Sequence, residues 1–373
     1  VASSAGDGNG IGVTFGMTRS APAADEVRRI LVLRPNAVGD YMFALPALHA
    51  LRHRYPAARI TLLGKQWHAD FLRGRPGPVD DVIVLPPLPG IGAQTDLRSD
   101  PAVGRGILAA LRALQPDIAA QMYGGGGYSN AFVGSIGAAL TIGASTPDSA
   151  PLDRSIAYSA RANRRLELLQ IAALCDAHPR MMPRELEVTD MDRAMAAQAL
   201  QPLANERLVV IHPGASDRRR CWPAARFAAV ADALAASGAQ VAISASAGEA
   251  PLAQEVAGHM RRPAVNLAGR LPLPALCGLL ERACMIVSND TGPLHMALAL
   301  GRPAVGVFWL TNMIESCPLA QHLLRPALSL QLHCPVCGAE NLHTRCEHDV
   351  SFVDDVGAAE VSALALELLR EAR

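Results

Sequence analysis

The chain reads as an α/β protein built from two parallel-sheet domains, and three observations carry that reading. It has 373 residues, more than one hydrophobic core usually organises, so two domains are expected. Short apolar runs of strand length alternate with helical patterns along most of it. Two of those runs break into a glycine-bearing polar turn that opens a helix, the local architecture of an anion site.

Residues 1–26 are rich in Gly, Ala and Ser, lack periodicity, and carry neither the basic start nor the apolar stretch of an export signal. A disordered extension is expected there, with Met17 a candidate natural start. The first domain is expected over residues 27–190. Ile30–Leu33 is a strand, Arg34–Gly39 a turn, and Asp40 opens an amphipathic helix running through Tyr55. Phe43, Ala47 and Leu51 recur at four-residue intervals, and Arg52, His53 and Arg54 put positive charge where the helix dipole is negative. Gly39 lets a ligand approach the backbone and leaves Asp40 at the rim of a cleft, although capping the helix would also explain this carboxylate. Ile60–Leu63, Asp81–Leu85 and Asp117–Gln121 read as further strands. Gly124–Gly127 is either a place of close ligand approach or a plain flexible loop. A helix over Ala162–Leu174 and the proline-bearing stretch Ala177–Glu185 lead to a linker near 186–206.

The second domain is expected over residues 205–355. Its first strand, Leu208–Ile211, runs into His212-Pro213-Gly214-Ala215-Ser216, a turn suited to phosphate or ribose. Asp217-Arg218-Arg219-Arg220 follows, before Trp222-Pro223 starts a helix. Three arginines in a row could neutralise a diphosphate through bidentate hydrogen bonds, or form a solvated basic turn. Gln240–Ser244 leads to a turn ending in Glu249, Leu267–Arg270 forms a loop, and Leu276–Arg282 a helix. The most telling stretch is Val287–His295, a strand end that breaks at Asn289-Asp290-Thr291-Gly292 and restarts as a helix at Pro293, whose missing N–H costs nothing in a first turn. Thr291, Gly292 and the following N–H groups would point at one spot, with the helix dipole favouring a phosphate there. His295 lies one turn on, and Asp290 stands just upstream to accept hydroxyl hydrogens. Helix capping by Asp290 or Thr291 and packing of His295 on the sheet is the bland alternative.

Composition excludes some classes. Lys plus Arg and Asp plus Glu both total 34, which gives no support to nucleic-acid binding through a bulk positive field. The best apolar run, Leu294–Leu310, is interrupted by His295, Arg302 and Pro303, so no membrane span is expected. A soluble, cytoplasmic protein with its eight cysteines in a reducing compartment follows. No strand leads into G-x-G-x-x-G with an acidic residue downstream, which argues against a nicotinamide-dependent oxidoreductase.

Five landmarks then occur in order: RPNAVGDYMFALP (Arg34–Pro46), His212-Pro213-Gly214, Arg220-Cys221-Trp222-Pro223, Leu267-Ala268-Gly269-Arg270, and SNDTGPLHMALAL (Ser288–Leu300). Together they resemble glycosyltransferase family 9, the ADP-heptose:lipopolysaccharide heptosyltransferases, from about Ile30 to the C-terminus. The resemblance implies a GT-B architecture, two Rossmann-like domains facing across a cleft, and inverting sugar transfer without a catalytic metal. It implies ADP-heptose as donor and the lipopolysaccharide inner core, or another glycan, as acceptor; a lipid-linked acceptor would bring the protein to the inner face of the inner membrane. Asp40 becomes the general base. Arg220 matches the family's Lys or Arg before Trp-Pro and would hold the diphosphate with Thr291, the Gly292 amide and His295, while Arg218 and Arg219 are lesser candidates. Glu249 falls in the slot of a ribose-binding glutamate, although Ala245 and Ser246 replace the usual glycines. Gly39, His212, Pro213, Gly214, Gly269 and Asp290 complete the donor-binding set. Lys65 and Arg73, with Arg75, could meet an anionic acceptor. Val307–Asn312 replaces the relatives' Gly-Pro-Thr turn, a departure that bears on donor or acceptor preference. A sugar-nucleotide epimerase of the same fold, another nucleotide sugar, or a protein acceptor are the alternatives.

Cys334-Pro335-Val336-Cys337 is a CxxC knuckle and Cys346 follows after eight residues. With one of His333, His343, His348 or Cys317 these thiolates would satisfy tetrahedral zinc or iron in a structural role; free thiols and a disulfide are the other readings. The cysteine-rich segment 333–348 would pin the tail before a final helix, Ala358–Glu371, expected within 356–373 to pack back on the first domain.

Overall fold

The computed structural model describes residues 21–92, 100–200, 207–342 and 346–371. Most of the extension expected over 1–26 lies outside the described residues, as do Met17 and His343. The chain divides into two compact units, and the division is not simply sequential. The first comprises Val1–Asn36, Pro46–Ala162 and Leu166–Arg180; the second comprises Ala37–Leu45, Asn163–Arg165 and Met181–Arg373.

In the first unit the order is β1 (Arg29–Leu33), α1 (Val38–Arg54), β2 (Arg59–Gly64), α2 (Gln66–Leu72), β3 (Asp81–Val84), α3 (Pro101–Ala113), β4 (Ile118–Gln121), α4 (Ser129–Gly134), β5 (Leu140–Ser145), β6 (Arg154–Ala157) and α5 (Arg164–Ala173). The first residues of α1 and α5 belong to the second unit. The strands form one parallel sheet in the order β3-β2-β1-β4-β5-β6. β1, β2 and β4 are buried almost throughout, as expected of strands covered on both faces. α1 begins at Val38, two residues before the expected start, so Asp40 is its third residue.

The second unit contains α6 (Asp190–Ala199), β7 (Leu208–His212), α7 (Ala224–Ala236), β8 (Gln240–Ile243), α8 (Ala250–His259), β9 (Val265–Asn266), α9 (Leu273–Arg282), β10 (Met285–Asn289), α10 (Gly292–Ala299), β11 (Ala304–Trp309), α11 (Leu310–Ser316), β12 (Leu324–Ser329) and α12 (Ala358–Glu371). Its parallel sheet has the order β12-β11-β10-β7-β8-β9. Chain connections diverge from the adjacent pair β7 and β10, which makes the crevice beyond their carboxyl ends the natural ligand position.

Two expectations about the second unit are corrected. The stretch read as a linker holds a true helix, α6, started by a capping box in which the Thr189 side chain accepts from the Asp192 N–H and the Asp192 side chain accepts from Thr189. It packs on α9, where Arg193 forms a two-pronged ion pair with Glu281 at 2.8 Å. The unit therefore begins at Met181 rather than at 205. The final helix was expected on the first domain. Instead, Val361, Ala365, Leu368 and Leu369 of α12 join Trp222, Phe227 and Val230 in the second unit's own core, packed on α7.

Candidate functional site

The site starts from what Asn289 does at the end of β10. Its Oδ1 accepts from the Trp222 N–H (3.0 Å) and its Nδ2 donates to Pro213 O (2.6 Å), so one buried amide ties together the turns after β7 and β10. Trp222 is wholly buried and donates Nε1 to Val356 O at 3.0 Å, which fixes the arginine-bearing turn that precedes it. Beyond Asn289, Thr291 adopts extended backbone as the N-cap of α10, with Pro293 in the first turn. Its hydroxyl does not cap the helix, and Thr291 Oγ1 is buried with no protein partner, a donor and acceptor left for a ligand.

A second helix N-terminus meets this one inside the same unit. A Cβ on Gly39 would lie 3.3 Å from Gly292 Cα, and a Cβ on Gly292 would lie 3.2 Å from Gly39 N. The starts of α1 and α10 therefore approach backbone to backbone. They open on a pocket of about 590 Å³ whose wall includes Gly39, Asp40, His212, Arg220, Glu249, Asp290, Thr291, Gly292 and His295. Nine of the residues singled out from sequence thus share one cavity. Pro213 and Gly214 stand behind the wall; a Cβ on Gly214 would lie 2.2 Å from Glu249 Oε1, so the absent side chain makes room for that carboxylate. Gly269 is also behind it, at positive φ (70°) against Ala247.

The electrostatics of the pocket are set by a buried chain of groups. Asp290 Oδ1 accepts from His295 Nε2 (2.7 Å) and Ser316 Oγ (3.0 Å), while its Oδ2 lies 3.6 Å from Arg220 Nη1. On the other side of the imidazole, Arg165 Nη2 lies 3.3 Å from His295 Nδ1. A guanidinium only donates, so Nδ1 must accept and the proton sits on Nε2. Burial pushes the His295 pKa down, against the pull of Asp290, and this agrees with a neutral ring. Burial would raise the Asp290 carboxyl, but the His295 hydrogen bond, Arg220 and Ser316 hold it below the usual range. Arg165 is lowered by burial to about 10 and still carries its charge at neutral pH. Phe43 packs edge-on to His295 at 4.6 Å and beneath Arg165 at 4.6 Å.

Two expected roles change on this geometry. Both ring nitrogens of His295 are engaged by protein, so it positions Asp290 instead of supplying charge to a diphosphate. Asp290 in turn is occupied by His295, Ser316 and Arg220, so aligning those groups is its evident work. Among the three arginines only Arg220 lines the cavity, where Nη2 donates to Ser216 Oγ at 2.6 Å. Arg219 is turned onto Asp217 (2.8 Å) and the Phe352 ring, and Arg218 is exposed near Asp349 at 3.9 Å. Glu249 accepts from the Ser246 N–H (2.9 Å) and hydroxyl (2.7 Å), and keeps a face toward the pocket beside His212, whose pKa burial lowers.

The acceptor candidates lie elsewhere, in the first unit. Lys65 precedes α2, and Arg73 follows it in an exposed ion pair with Asp70 at 3.5 Å. Arg75 is corrected: it is buried, stacked 3.9 Å over the Phe71 ring and bonded to Phe71 O at 3.0 Å, which is a packing role. Asn312, in the pocket wall, closes the segment Val307–Asn312 that departs from the relatives' turn, whereas sequence reasoning missed Arg164, Glu315 and Ser316 in the wall and Arg165 behind it. No periodicity or motif marks them; the paired arginines at the start of a helix were the one available signal.

The cysteine knuckle is separate from this pocket. Cys334, Cys337, Cys346 and His348 bring one ligand atom each within 4.8 Å of one another, which favours His348 among the candidate fourth ligands in the described residues; His343 lies outside them. His333 instead forms a backbone bridge with Glu340. Hydrogen bonds from the backbone N–H groups of Cys337 and Val336 hold the Cys334 thiol down to about 7. The knuckle abuts the arginine turn: Phe352 N donates to Arg219 O (2.6 Å) and Ser351 Oγ to Cys221 O (2.8 Å).

The model of the family described as glycosyltransferase family 9 (heptosyltransferase) matches residues 144–337, more than half of the chain. The chain belongs to glycosyltransferase family 9. Among its relatives in this family, lipopolysaccharide heptosyltransferase 3 of Escherichia coli is 32% identical over 123 residues, 32% of this chain and 36% of that protein. The first relatives are therefore matched over only about a third of their length. Lipopolysaccharide heptosyltransferase 2 of Salmonella typhimurium is 26% identical over 298 residues, 75% of this chain and 82% of that protein. The solved structure of the E. coli ADP-heptose lipopolysaccharide heptosyltransferase II superposes with a TM-score of 0.72 at 21% identity, covering 92% of this chain and 99% of that one. The iron-containing dodecameric glycosyltransferase TibC of enterotoxigenic E. coli does so at 0.54 and 13%, covering 93% and 77%. With its two six-stranded parallel sheets the family-9 chain has the GT-B fold. Among the described residues no helix is long and apolar enough to cross a membrane.

Proposed function

We propose that this family-9 chain is a glycosyltransferase that moves a heptose from ADP-heptose to a hydroxyl of a lipopolysaccharide inner-core acceptor, with inversion at the anomeric carbon. The observation that carries the reading is the convergence of two helix N-termini, Arg220 and the unpartnered Thr291 hydroxyl on one pocket that also holds the Asp40 carboxylate. That combination suits a diphosphate leaving group next to a base.

In the proposed reaction the acceptor oxygen attacks the anomeric carbon as the bond from that carbon to the β-phosphate oxygen breaks. Asp40 takes the hydroxyl proton, and ADP departs with the bonding pair. Charge gathering on the diphosphate is met by the Thr291 hydroxyl, the α10 N–H groups and Arg220, which Asp290 keeps aligned. Fixed donors of this kind do what a magnesium ion does in other transferases. Glu249 offers its free acceptor positions to the ribose hydroxyls, and Leu271, Leu273 and Leu276 give an apolar wall for the base. The acceptor contacts of Lys65 and Arg73, and work at the inner face of the inner membrane, belong to the same reading.

Cys334, Cys337, Cys346 and His348 would hold a zinc or iron ion: their donor-atom spacing fits a tetrahedral site of three thiolates and one imidazole. Bound there, the ion would cross-link the tail segment and take no part in transfer. An iron-containing relative of the same fold supports this reading.

The test is calorimetric titration with ADP and ADP-heptose, followed by ADP release with a heptose-deficient core acceptor. Asp40→Asn is expected to bind ADP-heptose as the parent does and to lose transfer by about 10²–10⁴-fold, the range for removing a general base. Normal turnover in that variant would take Asp40 out of the mechanism.

A further inference from the structure

The pocket wall contains a polar group of residues to which the proposed function gives no role. Arg164, at the start of α5, lies with Nη2 3.6 Å from Glu315 Oε2 on α11, and Asn312 stands one turn before Glu315. All three line the cavity.

Their place along the cavity can be read from their neighbours. Glu249 shares one end with Ala245, Ser246 and the α9 leucines, where Gly269 packs on Ala247. Arg220, Asp290 and Thr291 occupy the middle. Glu315 lies 3.6 Å from Arg164 and its neighbour Ser316 bonds Asp290, which puts it beside the middle of the cavity. Asp40 and Phe43 border the same region through His295.

This wall is also held rigidly. Ser316, the residue after Glu315, donates to Asp290 Oδ1 (3.0 Å) and to Asn312 O (2.7 Å). Asn163 Nδ2 donates to Ile314 O (3.3 Å) and Cys317 O (3.0 Å), and Arg165 Nη1 to Ser316 O (2.5 Å). Three side chains from the start of α5 and the β10 turn thus clamp α11, so a group placed on it is oriented before any ligand arrives. The first residues of the same helix, Leu310–Asn312, belong to the segment that departs from the family's turn.

We propose that Glu315 and Asn312, with Arg164 steadying the carboxylate, read the hydroxyls of the sugar being transferred. The inference rests on the family-9 donor reading. Glu315 accepts from sugar O–H groups, and Asn312 both donates and accepts. A site built to bond hydroxyls also penalises a sugar that lacks them, because its buried polar groups are then left unmatched.

The experiment titrates ADP, ADP-heptose and ADP-glucose into the parent protein and into Glu315→Gln and Asn312→Ala. Each substitution is expected to leave ADP affinity within about twofold, to weaken ADP-heptose about tenfold through loss of a charge-assisted or amide hydrogen bond, and to narrow the gap between ADP-heptose and ADP-glucose. ADP-heptose affinity unchanged in both variants, or falling in step with ADP affinity, overturns the proposal and leaves the donor reading standing. A parent protein that binds neither ADP nor ADP-heptose removes both.

Discussion

Three buried histidines make acid the condition that should undo this fold. His68, His212 and His295 are all held neutral chiefly by burial, His68 down to about 3. A histidine whose folded pKa is depressed binds fewer protons in the native than in the unfolded state, so stability is lost as pH falls below the unfolded value near 6.5. Integrating from pH 7.5 to 5.5, His68, whose folded ring stays neutral, removes on the order of 1 kcal/mol, and His212 and His295 act in the same direction. Glu185 and Glu315, whose carboxyls burial pushes up, oppose this because they take protons first in the folded state. Their effect lies mainly at the acid end of the window. Asp290 acts further down: its folded pKa is depressed, so its contribution disappears only as pH falls through that low value. Urea unfolding at pH 7.5, 6.5 and 5.5 measures the slope, and NMR of the imidazole Cε1–H groups in the folded protein identifies its source. The His68 ring is expected not to titrate over that window, and His295→Asn to reduce the slope. A His295 resonance moving with an ordinary midpoint near 6.5 would refute the neutral tautomer and the positioning role built on it.

Two further outcomes follow from the site's construction. Gly214→Ala places a methyl where Glu249 Oε1 now lies, and since the obstructed atom ends a flexible side chain, global stability should change little while ADP affinity falls about tenfold, read by calorimetry. Removing the proposed metal from the knuckle with a chelator should loosen the contacts from Phe352 and Ser351 to the arginine turn, seen as faster amide hydrogen exchange over residues 217–222; unchanged exchange in protein shown by elemental analysis to have lost metal would separate the knuckle from the site.

The parts of the fold legible in the sequence were those whose signals are local. β1, β2, β4, β7 and β10 are short apolar runs bounded by turn residues, and each lies within about two residues of its expected place. β11 was hidden because Ala304–Trp309 continues the apolar character of α10, with only Gly301-Arg302-Pro303 between them, and continuous hydrophobicity has no period to read. β6 and β9 fail for the opposite reason: Arg-Ser-Ile-Ala and Val-Asn carry almost no strand signal and exist by pairing at sheet edges. The burial of α12 on α7 was likewise invisible, since an amphipathic stripe says that a helix packs and not upon what.

The same distinction separates the residues of the site. Gly39, Thr291, Gly292 and Arg220 could be found because a strand-turn-helix junction fixes where its own backbone points. What those junctions do together could not. Gly39 and Gly292 are over 250 positions apart, yet each lacks a side chain where the other's backbone passes at about van der Waals distance. The Ala37–Leu45 segment consequently belongs to the second unit, even though its helix continues into the first beyond Pro46. Arg165 is the companion case, a cation on the first turn of α5 that fixes the tautomer of a histidine 130 residues later. Both unit assignments put short pieces of the amino-terminal half into the unit that holds the anion site. The proposed base on α1 and the proposed phosphate cradle on α10 then lie in one unit. Substitutions at Asp40 should for that reason alter turnover without altering the cradle, whereas changes at Arg165 should disturb Asp290 and Arg220 through His295.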